Sequence, residues 1–68
     1  MPKNIENFIE ALLEKLNDKQ KKVIKKRFGL QGKKETLQEI GNLLGVTRER
    51  IRQIESQALH KIRKEAKN

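Results

Sequence analysis

Thr36 to Glu55 reads TLQEIGNLLGVTRERIRQIE, two short amphipathic runs joined through a glycine. Counted from Leu37, Gly41 falls fifth, where two helices crossing closely leave no room for a large side chain. Gly45 falls ninth, in the turn, where glycine takes positive φ at no steric cost and ends the first helix as its C′ residue. Ile40, Leu44, Val46, Ile51 and Ile54 then occupy the positions that must face inward when two helices meet at a steep angle. The pattern is that of a helix-turn-helix.

Local signals agree with it. Thr36 and Glu39 form a capping box at the start of the first helix, and Thr47 is a good N-cap for the second. On a helical wheel Ile51, Ile54, Ala58 and Ile62 share one stripe, while Glu49, Arg52, Gln53, Ser56, His60 and Arg63 lie roughly opposite and Arg48 sits near the boundary. That outer face holds side chains able to hydrogen-bond base edges. The alternative is an amphipathic hairpin with merely solvated charges, but two glycines and two caps in register argue against it.

The chain has 68 residues and a net charge of +8. This length bounds it to one small domain with a limited core. Without cysteine it has no disulfide, no Cys-based zinc site and no thiol chemistry, which fits a cytosolic setting. No apolar run is long enough for a membrane span or a signal-peptide core, so the expected location is soluble and cytoplasmic. The charge attracts polyanions and favours fast, salt-sensitive association with nucleic acid. Phe8 and Phe28 are the only aromatic residues, both at positions that read as core, so no stacking platform for single strands or RNA is expected. Duplex DNA fits better.

The remaining chain reads as support. After the lead-in Met1 to Lys3, Asn4 can cap a first helix over 5–16, with Ile5, Phe8, Ile9, Leu12, Leu13 and Leu16 on a broad apolar face and Glu6, Glu10 and Glu14 outside. Asn17 caps a second helix over 18–28 with Gln20 completing the box. Val23, Ile24 and Phe28 are its expected inward side, Gly29 its C′ residue, and Lys19, Lys21, Lys22, Lys25, Lys26 and Arg27 crowd its outside, a solvated face or, beside a helix-turn-helix, one that contacts phosphates. Leu30 to Glu35 is a loop that sets Lys33 and Lys34 just before the Thr36 cap, near a helix N-terminus suited to a phosphate oxygen. The last helix is expected over 48–64, fraying from Lys64 onward.

Catalysis is not expected, nor is a cofactor or metal. His60 is the only histidine and falls on an exposed face, and no nucleophile motif, glycine-rich phosphate loop or carboxylate pair is present. Four short helices are expected to leave no cavity of a few hundred Å³.

The runs RFGL at Arg27 to Leu30, TLQEIG at Thr36 to Gly41 and VTRERIRQIESQALHKIR at Val46 to Arg63 resemble region four of bacterial primary-type sigma factors, the domain that recognises the minus-thirty-five promoter element. The resemblance covers about Leu13 to Arg63, and VTRERIRQIE is its most specific part. It implies that Arg48, Glu49, Arg52 and Gln53 reach bases or adjacent phosphates in the major groove. Their chemistry suits that role, since arginine donates twice to guanine, glutamate accepts from the cytosine amino group, and glutamine pairs with adenine. It further implies phosphate contacts at Arg27, Lys34, Leu37, Gln38 and Thr47, side-chain or main-chain.

By the same resemblance, the first helices bind the flap-tip helix of the RNA polymerase β subunit, with Leu12, Leu16, Ile24 and Phe28 forming the groove. The segment from Gln57 to Lys64 resembles the part that meets activators and anti-sigma factors. The loop between RFGL and TLQE is shorter than is usual in the family. Nothing corresponds to the parts that bind the polymerase clamp, read the downstream element or melt DNA. An excised domain, a free-standing sigma-like domain and a piece of a fusion all remain open.

The expectation is therefore an all-α, four-helix domain over residues 1–68 with a C-terminal helix-turn-helix. Its expected role is sequence-specific duplex DNA binding in transcription initiation, in a bacterial cytoplasm and nucleoid-associated through polymerase. The alternative is an interaction module that binds polymerase or a regulator without reading promoters itself.

Overall fold

The computed structural model describes the backbone of residues 2–67 and the side chains of residues 8–65. Four helices follow in order, α1 (Pro2–Leu13), α2 (Asp18–Arg27), α3 (Leu37–Leu44) and α4 (Arg48–Lys67), and no strand occurs among the described residues. Helix α4 is the spine against which the other three pack.

The core lies in two clusters along α4. Val23, Ile40, Ile51 and Ile54 form one, with Leu37, Leu44 and Val46 packed against it, so α2 closes over the helix-turn-helix pair. Leu13, Leu16, Ile24 and Ala58 form the other, flanked by Leu59 and Ile62. The inward positions of the α3–α4 pair are thus filled as expected. Fully burying an aliphatic side chain contributes about 1.5 to 3 kcal/mol, so these few residues carry most of the fold.

The turns have specific causes. Gly41 lies where α3 crosses the start of α4, and a Cβ there would come within 2.8 Å of the Val46 carbonyl oxygen. Gly45 ends α3 at φ 74°, and the Val46 N–H then reaches back to the Gly41 carbonyl at 2.9 Å. Gly29 plays the same part after α2 at φ 67°, with the Leu30 N–H donating to Lys25 O. The loop then doubles back: the Glu35 N–H donates to Lys26 O at 2.9 Å.

Three expectations are corrected. Helix α1 begins at Pro2, so Asn4 lies inside it rather than capping it, and the chain leaves the helix at Leu13 rather than Leu16. Proline is favoured in a first helical turn. The early stop follows from Asn17, whose extended backbone (φ −75°, ψ 172°) lets its side chain accept from the Gln20 N–H. Ile5 and Glu6 lie in α1, but their side chains are outside the described residues.

The second correction is that neither phenylalanine is core: Phe8 is 56% exposed and Phe28 44%. Helix α1 lays only its Leu12–Leu13 end onto the core, and Phe28 is the C-cap of α2, beyond its buried Val23 and Ile24. Third, α4 does not fray at Lys64 but runs on to Lys67, because KIRKEAK contains only good helix formers and ordinary ones. Asn68 lies outside the described residues.

Candidate nucleic-acid interface

The first two turns of α4 present the four expected base-reading side chains, Arg48, Glu49, Arg52 and Gln53, all exposed. Two local features fix where that helix starts. Thr47 Oγ1 accepts from the Arg50 N–H at 3.1 Å, capping α4, and the Gly41 crossing holds the Val46–Arg48 backbone against α3. The position of this exposed face is therefore set by backbone packing beneath it.

On that face the side chains are already paired. Arg52 donates from Nε to Glu49 Oε1 at 2.9 Å and from Nη2 to Oε2 at 2.6 Å. This hydrogen bonding from Arg52 is the chief cause that holds the Glu49 carboxyl below the ordinary glutamate range, and Gln53 and Arg48 add to it. The Arg52 guanidinium is correspondingly raised, first by the same bond. Only one edge of the guanidinium is used: the Nη1 hydrogens and one on Nη2 remain free, and that pair of donors suits guanine O6 and N7. Each Glu49 oxygen keeps a lone pair for a cytosine amino group.

Arg50, which the helical-face reading left out, donates from Nη1 to Gln53 Oε1 at 3.4 Å. Its position three residues before Gln53 was the available signal. This contact takes up the Gln53 amide oxygen, while the Gln53 side chain also hydrogen-bonds toward Glu49.

The expected phosphate contacts fall into two groups. Leu37 and Gln38 lie in the first turn of α3, behind a capping box in which Thr36 Oγ1 accepts from the Glu39 N–H at 3.1 Å and Glu39 Oε1 accepts from the Thr36 N–H at 2.8 Å. That backbone bond is the main reason the Glu39 carboxyl is lowered. Gln38 is exposed and bonds Asn42 Oδ1 at 3.0 Å, whereas Leu37 is half-buried against the core. Thr47 and Lys34 are exposed, the latter at the close passage of the loop over Gly29. Arg27 stands apart: its Nε is buried and lies 3.3 Å from Glu55 Oε2, a strut between α2 and α4 with no local signal in the sequence.

Of the four groove residues, Leu16 (6% exposed) and Ile24 (4%) are taken up by the core, so they have no surface left for a partner. Leu12 is half-buried and Phe28 exposed. Phe8, Ile9 and Leu30 are further exposed apolar side chains that the expected set did not include.

The surface does hold a broad, open concavity. The loop folded back along α2 and the long lysines beside it wall a surface groove of about 990 Å³. Among the described residues, no group of three or more His, Asp or Glu side chains could hold a metal, and no helix is long and apolar enough to cross a membrane.

Comparison with known proteins accords with this architecture. The family model described as sigma-70, region 4, matches residues 12–64. A curated relative, RNA polymerase sigma factor sigB of Arabidopsis thaliana, is 46% identical over 61 residues, covering 88% of this chain. The chain spans only 11% of that relative's length. With its match across most of the chain and its all-helical helix-turn-helix fold, this chain belongs to the sigma-70 region 4 family.

Proposed function

We propose that the chain binds duplex DNA at a minus-thirty-five-type promoter element and, by docking on core RNA polymerase, serves transcription initiation. The observation that carries this reading is the exposed Glu49–Arg52 pair on the first turns of α4, with a guanidinium edge left free beside Arg48 and Gln53. A helix presented by a helix-turn-helix reads the major groove with its N-terminal residues. The α3 N-terminus and Thr47 flank that face, and backbone N–H groups there suit phosphate oxygens. Lys34, Leu37, Gln38 and Thr47 hold the register, and Arg27 contributes through the donors its Glu55 contact leaves free.

Polymerase docking rests on a different surface. Phe8, Ile9, Phe28 and Leu30 are exposed apolar side chains in a strongly basic domain, and such groups favour a protein partner. In this reading the β-subunit flap meets Phe28 and Leu12, and not the buried Leu16 and Ile24. The exposed positions of the Gln57–Lys64 segment are left for activators or anti-sigma factors. This surface also favours the second reading, an interaction module without promoter reading.

The two are separated by measuring the affinity of the chain and of Arg52→Ala for duplexes with single base-pair changes across the element. Base reading requires Arg52→Ala to lose about 1 to 3 kcal/mol on the cognate site and to relax specificity at one position. Equal loss on cognate and scrambled duplexes would sink the base-reading role and favour the interaction module.

A further inference from the structure

The lysine-walled groove between α2 and the loop before α3 belongs neither to the reading face nor to the core. Lys21, Lys22, Lys25, Lys26 and Lys33 line it. Three carboxylates also do, Asp18, Glu35 and Glu39, so lysines outnumber carboxylates on the lining. Glu39 accepts from the Thr36 backbone, and Glu35 lies 3.6 Å from Lys26. Among the described residues, Lys21, Lys22, Lys25 and Lys33 have no carboxylate within salt-bridge distance. Lys33 acts on the Glu39 carboxylate, but the ammonium groups of Lys21, Lys22 and Lys25 hold no salt bridge and repel one another, a cost that an anionic occupant reduces.

We infer that this groove is a second phosphate track, carrying the DNA backbone beyond the bases read by α4. The inference rests on the duplex-binding reading and extends it. Continuity favours DNA over a small anion. Glu39 lines the groove and directly follows Leu37 and Gln38, so the groove opens at the α3 N-terminus, where that reading already puts the backbone. At about 990 Å³ it holds far more than one phosphate. The loop wall is built in, because the Glu35 N–H to Lys26 O bond and the passage over Gly29 fix it against α2. Lysine suits such a track, since it meets phosphates as a point charge and reads no sequence.

The test compares the full chain with a Lys21→Gln, Lys22→Gln, Lys25→Gln, Lys33→Gln variant on two duplexes. One is trimmed to the promoter element and the other is extended by about one helical turn, about 10 base pairs, on each side. The unaltered chain is expected to bind the extended duplex more tightly and with a steeper salt dependence. The variant is expected to lose that gain, its slope of log affinity against log salt falling by about 0.9 for each phosphate contact removed, while its preference for the element over a scrambled site persists. A variant that keeps the flank gain and the slope overturns the track. If neither protein prefers the element, the promoter reading fails separately, and a flank gain that the variant lacks still supports the track. Should the fourfold variant lose its helical circular dichroism, Lys25→Glu alone serves: roughly tenfold weaker binding to the extended duplex is expected, and unchanged binding refutes the groove.

Discussion

Arg52 holds Glu49 through one edge of its guanidinium, Nε to Oε1 at 2.9 Å and Nη2 to Oε2 at 2.6 Å, three residues apart on the exposed face of α4. Both partners are more than half exposed, so the pair adds little to stability. In the proposed complex its value would lie in orientation, because an Arg52 already held by Glu49 has less rotamer entropy to lose on meeting a base.

In the proposed complex Glu49 would also set a negative charge beside DNA phosphates. Glu49→Gln is therefore expected to raise affinity for scrambled duplex while reducing discrimination for the cognate site by about 1 to 3 kcal/mol. Titrations of both duplexes check this, and a parallel loss on both would show that Glu49 acts only on folding.

The same pair has a pH signature. The Glu49 pKa is lowered in the folded chain, chiefly by the Arg52 hydrogen bond, so the pair's contribution is fully present above the ordinary glutamate range and is lost as pH falls through the lowered value. Carboxyl chemical shifts should place Glu49 below the ordinary range, and Arg52→Ala should return it upward. A Glu49 midpoint unchanged by Arg52→Ala would mean the pair does not form in solution.

Two glycines of the helix-turn-helix should fail for different reasons. At Gly45 a Cβ meets nothing within 4 Å but φ is 74°, so Gly45→Ala should cost about 1 to 2 kcal/mol and Gly45→Asn less. At Gly41 a Cβ would meet a backbone oxygen at 2.8 Å, so Gly41→Ala must shift α3 against α4 and should cost more. Thermal melts rank the three, and a Gly41→Ala chain as stable as the unaltered one would contradict the tight crossing.

Arg27 and Glu55 tie α2 to α4 across 3.3 Å, with Glu55 only 15% exposed. Arg27→Met leaves that carboxylate partly buried without its partner, so the double change Arg27→Met, Glu55→Met should cost less than the sum of the single ones. A coupling of about 0.5 to 1 kcal/mol from denaturant unfolding is expected after allowance for solvent, and additive losses would remove the strut.

Much of this was legible in the chain. Gly41, Gly45, Thr36, Thr47 and the five inward aliphatics obey local rules of turn, cap and period, and each stands where those rules place it. The apolar face of the first helix was less legible. Periodicity marks Phe8, Ile9 and Leu12 as apolar, but only the packing of α1 on α4 shows that Leu13 and Leu16 are covered and Phe8 is not. The basic face of α2 was legible, but the Arg27–Glu55 pair depends on how α2 packs on α4 and the groove on where the loop returns along α2, tertiary matters that no local rule of sequence encodes.

The most direct test of the central claim is a salt series of binding by the full chain to a duplex carrying a TTGACA-like element and to a scrambled duplex of equal length. Base readout requires a preference for the element that survives at moderate salt and disappears in Arg52→Ala. Equal binding to the two duplexes, lost together as salt rises, would contradict it and leave an electrostatic DNA binder whose specific contact is with a protein.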